Sequence, residues 1–203
     1  MKSAAPVIDA IAALFRDKIA AGCEGAGSLE SALQLLERAS PVAAPEPSSL
    51  PALRYWDEAI GLVAEAAPAR LTTALREAAP AFHWRQNPNY LKTLDRDYLS
   101  GYAFTEFVGE VAPLAQDGLR VGLLLIGPDR HYPEHNHPAE EIYLPLTSAS
   151  WWRAGEDWRE VAPVQVIHHA PWRVHATKTG KAPLIALYAW LGEVARNAEL
   201  TVA

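Results

Sequence analysis

Residues 132–143 read Tyr132-Pro133-Glu134-His135-Asn136-His137-Pro138-Ala139-Glu140-Glu141-Ile142-Tyr143. The stretch places two histidines at alternate positions and a carboxylate shortly after them, and His175 follows further downstream. Neutral imidazoles and a carboxylate on a rigid scaffold of strands can bind a divalent metal ion and leave coordination positions open. The stretch therefore predicts a metal site that is built into a β fold.

Tyr143 follows the carboxylate of Glu141 at an interval of two residues. Successive side chains of a strand point to opposite faces, so residues two positions apart share a face. On a strand, the phenol of Tyr143 is therefore expected to enter the same site as Glu141.

Two sets of metal ligands fit this pattern. The first has four protein ligands: His135, His137, Glu141 and His175. In the second, Tyr143 or water takes a coordination position, and His135 supports the site without binding the ion. The other histidines of the region, His131, His168 and His169, are expected to be supporting or surface groups.

Composition limits the class of protein. The net charge is −6 without a cluster of Lys or Arg, which argues against nucleic acid or an anionic membrane as the main partner. The single cysteine, Cys23, cannot form an intrachain disulfide and fits a reducing compartment. Charged residues interrupt the apolar pattern near the start, and no apolar run is long enough to span a membrane. We expect a cytoplasmic protein.

Residues 1–100 are expected to form a helical segment. Gly25-Ala26-Gly27 ends a first amphipathic helix, and Ser28 is expected to cap a second helix that runs to Ala39. Residues 41–51 contain four prolines and predict a stiff, extended connection. Helical patterns return over residues 53–66 and 70–78.

From residue 101 the sequence changes to short β-prone runs that are separated by turns. The expected strands cover residues 102–108, 120–126, 141–146, 150–153, 164–169 and 184–191. Short strands at this spacing are typical of a small antiparallel barrel or jelly roll. We therefore expect a mainly β fold, with a barrel over residues 101–203, the helical segment packed on it, and a ligand site at its mouth.

Longer blocks of sequence carry a family resemblance. The layout of His135, His137, Glu141 and His175 resembles the cupin metal motif, although Arg173 stands where that motif has a glycine. The wider blocks are residues 121–128, 132–143, 168–171, 175–179 and 183–190. Together they resemble the signature of the cupin-type dimethylsulfoniopropionate (DMSP) lyases of marine bacteria, the DddQ/DddL-like group.

The resemblance implies a carbon–sulfur lyase that cleaves DMSP to dimethyl sulfide and acrylate by β-elimination. One divalent ion per chain, Zn, Fe or Mn, would act as a Lewis acid on the substrate carboxylate. Tyr143 is the expected base, and Tyr132 is a competing base or a substrate-orienting hydroxyl. Trp190 and Tyr188 alternate on the last long strand and would bind the sulfonium by cation–π attraction. The tryptophan-rich barrel is also compatible with a homodimer.

Two other functions use the same residues. A cupin iron oxygenase acting on a small carboxylate would bind ferrous iron and dioxygen at a site of two histidines and a carboxylate. It would consume oxygen, whereas a lyase would not. A non-catalytic cupin sensor of small anions would bind its ligand without turnover, and Tyr143→Phe would change its affinity little.

Overall fold

A computed structural model describes residues 4–201 of the chain. The helices lie in the N-terminal half, as the apolar periodicity predicts: α1 (Ala5–Ala20), α2 (Ala26–Leu36), α3 (Trp56–Ala66), α4 (Ala69–Ala78) and α5 (Arg96–Ser100). Short 3₁₀ segments occupy Pro51–Tyr55, Ala79–Ala81 and Tyr90–Lys92. The helix expected over 53–66 therefore begins as a 3₁₀ turn that follows Pro51.

The start of α2 differs from the prediction. Gly25, with φ of +68°, directly precedes the helix, so the expected cap at Ser28 is wrong. Ser28 lies inside the helix, and its hydroxyl donates to Glu140 Oε1 at 2.7 Å. Glycine tolerates the left-handed conformation that turns the chain here, which a side-chain cap would not supply. The helix ends at Leu36 rather than at Ala39.

The strands form two facing sheets. In chain order they are β1 (Ser40–Pro41), β2 (Tyr102–Val108), β3 (Leu114–Ala115), β4 (Leu119–Ile126), β5 (His131–Asn136), β6 (Glu140–Pro145), β7 (Ala149–Arg153), β8 (Arg159–Val161), β9 (Ile167–His169), β10 (His175–Lys178), β11 (Leu184–Leu191) and β12 (Glu199–Leu200). The larger sheet has the order β1-β3-β2-β4-β11-β6-β9, and the smaller has the order β12-β5-β10-β7-β8. A cupin barrel with a helical N-terminal segment is confirmed.

The predicted strand limits agree well with the structure, with one clear exception. Strands β2 and β11 have the expected ends. The strand expected over 164–169 is reduced to Ile167–His169, because Val164 has φ of +55° and cannot continue an extended chain. The division of the chain into a helical segment, residues 1–100, and a barrel, residues 101–203, stays a prediction.

The central strands of the larger sheet are buried on both faces. All residues of β4 are buried, and their side chains alternate between two clusters. Leu123 and Leu125 join the helical residues Phe15 and Leu29 in one apolar cluster. Leu124 points the other way, into an aromatic cluster between the sheets. The helices thus cover the outer face of the sheet, and the inner face is left for aromatic and functional side chains.

None of the helices within residues 4–201 has the length and apolar character that crossing a bilayer requires.

The turn before α2 gives a test of this packing. A Cβ at Gly25 would lie 2.8 Å from Ile142 Cδ1 and 3.1 Å from His168 Cβ, whereas a Cβ at Gly22, with φ of +66°, would meet nothing within 4 Å. Gly22→Ala is expected to lower the free energy of unfolding by about 1 kcal/mol, which is the cost of a left-handed backbone conformation for alanine. Gly25→Ala is expected to lower it by about 1–3 kcal/mol more, because the new methyl group overpacks the contact with Ile142 and His168. Urea unfolding measures both losses, and equal losses would show that the turn is not tightly packed on the barrel.

Candidate metal centre and active site

His137, Glu141 and His175 come together inside the barrel. His137 follows the end of β5, Glu141 lies in β6, and His175 begins β10 on the facing sheet. Their ligand atoms all lie within 4.8 Å of one another, and the three side chains are buried. The Nε2 atoms of His137 and His175 each lie 3.1 Å from Glu141 Oε2. Three of the predicted ligands therefore converge on one point.

The backbone fixes which imidazole nitrogen faces that point. His137 Nδ1 lies 2.9 Å from the carbonyl oxygen of Ala139, and His175 Nδ1 lies 2.8 Å from that of Arg173. A carbonyl oxygen can only accept, so each Nδ1 carries a proton and donates it. In a neutral ring the Nε2 lone pair is then free to bind a metal, which is the usual arrangement of metal-binding histidines.

The donor set fits a divalent metal ion. His175 Nε2 is buried and has no hydrogen-bond partner among residues 4–201, although it lies 3.1 Å from Glu141 Oε2. Buried polar atoms are normally satisfied, so a lone pair left in this position indicates a ligand. Two imidazole nitrogens and a carboxylate are donors that Zn and Fe accept.

The surroundings of Glu141 act on the pKa of its carboxyl group in opposite directions. Burial alone would raise the pKa of the carboxyl group, but His137 and His175 hold the pKa well below its usual range. Its second oxygen, Oε1, accepts a hydrogen bond from Trp190 Nε1 at 2.5 Å. Oε1 is thus held by the indole, while Oε2 faces the two Nε2 atoms.

His135 lies beside the three converging residues. Its Nδ1 donates to the Pro133 carbonyl oxygen at 2.7 Å, and its ring centroid lies 4.1 Å from that of His175. Burial lowers the pKa of His135 well below its usual value, and the nearby His175 lowers it further. Tyr132 stacks on the His135 ring, with centroids 4.1 Å apart.

His169 is a further buried histidine, which the sequence predicts to be a supporting or surface group. Its ring stacks on His175 with centroids 4.0 Å apart and an interplanar angle of 11°. The His175 imidazole is thus packed against both His169 and His135.

Tyr143 lies on the same face of β6 as Glu141, as the alternation predicts. Both residues line one pocket between the sheets, together with Tyr132, Tyr188 and Trp190. Burial raises the pKa of Tyr143 well above its usual value, and the charge of Glu141 raises it further. The structure brings this predicted set of residues into a single cavity.

Trp151 and Trp152 are neighbours in β7, so their side chains point to opposite faces of the strand. Trp151 is buried and packs on Tyr143, with ring centroids 4.6 Å apart, whereas its neighbour Trp152 is half-buried and stacks on Trp158. Trp172 is an exposed residue at the surface. Trp190 reaches the metal-ligand residues, and its ring stacks on His137 with centroids 4.0 Å apart.

The same pocket contains charged residues that the sequence analysis missed. Glu106 and Arg120 line it, and both are buried. Arg120 Nη1 lies 3.6 Å from Glu106 Oε1, and Arg85 contacts the other carboxylate oxygen. Burial raises the pKa of Glu106, while Arg120 and Arg85 oppose that rise. Two features of the sequence could have indicated these residues. They are the charged residues within otherwise apolar strands, and Gly122 within the apolar run 121–126.

The family model for dimethylsulfoniopropionate lyase matches residues 25–186. The dimethylsulfoniopropionate lyase DddQ of Ruegeria pomeroyi is 33% identical over 109 residues, which cover 53% of this chain and 54% of that protein. The chain thus spans about half the length of this curated relative. DddL of Cereibacter sphaeroides is 28% identical over 172 residues, 83% of this chain and 71% of that protein. The crystal structure of DddQ from Ruegeria pomeroyi superimposes with a TM-score of 0.71 at 26% identity, over 93% of this chain and 96% of that chain.

The convergence of three ligands predicts which glutamate matters for metal binding. Glu141→Gln is expected to weaken binding of a divalent metal by more than about ten-fold, because it removes the negative charge at the centre of the donor set. Glu140→Gln is the matched control, since Glu140 contacts Ser28 and His168 instead. Metal content after dialysis, together with metal titration, measures the difference. Equal retention of metal by both variants would rule out this site.

Proposed function

The chain belongs to the dimethylsulfoniopropionate lyase family, and we propose that it cleaves DMSP to dimethyl sulfide and acrylate by a metal-dependent β-elimination. The observation that carries the proposal is the convergence of His137, Glu141 and His175 beside a pocket that Tyr143 lines. The site would bind one small zwitterion, with its carboxylate toward the metal ligands.

The reaction sets clear demands on the residues. A base removes a proton from the carbon next to the carboxylate, the electron pair forms the carbon–carbon double bond, and the carbon–sulfur bond breaks. Dimethyl sulfide leaves as a neutral molecule, so no general acid is needed. The site therefore needs a strong base, stabilisation of negative charge on the substrate carboxylate, and a place for the sulfonium.

His137, Glu141 and His175 are proposed to hold one divalent ion, with Zn, Fe and Mn as the candidates. When bound, the ion supplies Lewis acidity toward the substrate carboxylate and a positive charge that favours the phenolate of Tyr143. His135 is assigned a supporting position, because its ring packs on His175 and Tyr132 outside the group of converging ligand atoms.

Tyr143 is proposed as the base. Its position two residues after Glu141 in β6 puts the phenol on the pocket side of the strand. Packing on Trp151 fixes the ring. The residue is buried, which restricts the access of water to the phenol.

Tyr132 is proposed as an orienting hydroxyl. Its phenol oxygen lies 2.9 Å from that of Tyr90, and this hydrogen bond restrains it. Trp190 and Tyr188 are proposed as the aromatic lining of the part of the pocket that receives the sulfonium. Tyr132 is the weaker candidate for the base, because its hydroxyl already has a protein partner.

The two rival functions give different results in simple assays. Family membership favours the lyase over the iron oxygenase and the small-anion sensor. An oxygenase would stop without dioxygen, and a sensor would bind DMSP without releasing a product.

We expect the metal-loaded protein to release dimethyl sulfide from DMSP in an anaerobic headspace assay, in equimolar amount with acrylate. A chelator removes the activity, and added Zn, Fe or Mn restores it, because the donor set needs an ion for charge stabilisation. No sulfide at millimolar substrate with any of these metals would overturn the proposed function.

Tyr143→Phe tests the base. The variant keeps the ring and its packing but loses the proton acceptor, so kcat is expected to fall by about 10²–10⁴-fold while metal content stays unchanged. Tyr98→Phe is the matched control: this buried tyrosine belongs to the same aromatic cluster, does not line the pocket, and its hydroxyl has no hydrogen-bond partner among residues 4–201. A normal kcat in Tyr143→Phe would show that another group takes the proton.

A further inference from the structure

The strand register sets two rows of side chains side by side on the inner face of the larger sheet. Glu141 in β6 pairs with Trp190 in β11, which pairs with Arg120 in β4. In the adjacent row, Tyr143 pairs with Tyr188, which pairs with Gly122. The second row continues from Gly122 to Glu106 in β2.

Gly122 leaves the space that Tyr188 uses. A Cβ at this position would lie 2.8 Å from the Tyr188 hydroxyl oxygen and 2.2 Å from the Thr105 carbonyl oxygen. The phenol therefore extends across β4, and its hydroxyl donates to Glu106 Oε1 at 3.3 Å. The buried carboxylate and the aromatic wall of the pocket are directly connected.

Trp190 lines the pocket and is partly exposed, but its ring and its N–H already have protein partners. The ring of His137 stacks on it, with centroids 4.0 Å apart, and the Arg120 guanidinium carbon lies 5.7 Å from its centroid. Its N–H is taken by Glu141. In the second row, Tyr188 also lines the pocket, and Glu106 engages its hydroxyl.

The charges of the lining residues add a second argument. Among the described residues that line the pocket, the acidic ones are Glu106 and Glu141, and the basic one is Arg120. The proposed function assigns Glu141 to the metal ion. Glu106 is then the other carboxylate of the lining. It pairs with Arg85 and with Arg120, which also contacts Asn197, at 3.3 Å, and the Trp190 ring.

We propose that Tyr188 and Glu106 form the subsite for the sulfonium end of the substrate, with Glu106 as a positioning and specificity-determining residue that acts through Tyr188. The proposal rests on the proposed function for the orientation of the substrate. A phenol that donates to a carboxylate has a more electron-rich ring, which attracts a cation more strongly. Glu106 therefore acts on the cation through the phenol, which lies between the carboxylate and the pocket. Arg85 and Arg120 compensate the burial of Glu106.

The test compares two ligands that differ in charge and are similar in size. Isothermal titration calorimetry on the metal-loaded protein measures the Kd of 3-(trimethylammonio)propionate, which carries a cation, and of 4-methylpentanoate, which carries none. Glu106→Gln keeps an acceptor for Tyr188 and removes the charge. It is expected to weaken binding of the cationic ligand by about three- to ten-fold, while the Kd of the neutral-ended ligand stays the same.

Glu110→Gln is the matched control. Glu110 lies 3.9 Å from the same arginine, Arg120, but its side chain is 79% exposed. The variant makes the same charge change near the same guanidinium without touching the pocket wall, so both Kd values are expected to stay unchanged. Tyr188→Phe keeps the ring and breaks its connection to Glu106, and it is expected to lose part of the preference for the cation.

Several outcomes would overturn the subsite. Equal changes in the two Kd values for Glu106→Gln would show a structural effect only, and tighter binding of the cationic ligand would show that this end of the pocket recognises the carboxylate. If Glu106→Gln does not fold, full preference for the cation in Tyr188→Phe overturns the proposal. Because these ligands report binding alone, a selective loss without any release of dimethyl sulfide would support the subsite and overturn the proposed function.

Discussion

The carboxylate of Glu141 is fully removed from water, and the arrangement of the site depends on how that charge is satisfied. An isolated buried carboxylate would be very unfavourable, so its partners must be placed accurately. Oε2 faces the imidazoles of His137 and His175, and Oε1 accepts from Trp190. Those partners come from the end of β5, from β10 and from β11, so one carboxylate joins the two sheets of the barrel. Loss of any partner would leave part of this charge uncompensated.

The helical half of the chain makes this interior available. Small barrels normally have one face toward solvent, but here α2 and α3 pack on the outer face of the larger sheet. The sheet is therefore supported by apolar contacts from outside, and its inner face can carry tyrosines, histidines and charged groups. Ser28 in α2 reaches Glu140, the neighbour of the metal-site carboxylate, and Gly25 lies against Ile142. The helices thus help to set the position of the strand that carries the site.

Much of this site could be predicted from local sequence, because strand alternation is a local property. Glu141 and Tyr143 share a face, as do Tyr188 and Trp190, and the spacing alone predicts both. The cap at Ser28 was wrong because a left-handed glycine can turn the chain where a side-chain cap is expected. Glu106 was missed for another reason. Its place beside Tyr188 depends on the register of β2 on β4, and no periodicity within one strand shows the register between two.

The two aromatic residues of the pocket wall have different surroundings, although they alternate on one strand. Trp190 contacts His137, Arg120 and Glu141, so its indole supports two of the candidate metal ligands. Tyr188 is held at its hydroxyl by Glu106, and its ring forms part of the pocket wall. A zwitterion with its carboxylate toward His137 and His175 would then meet the phenol rather than the indole at its other end. Strand alternation therefore places both rings at the pocket, and the hydrogen bonds that Trp190 and Tyr188 make with Glu141 and Glu106 decide which ring contacts a cation.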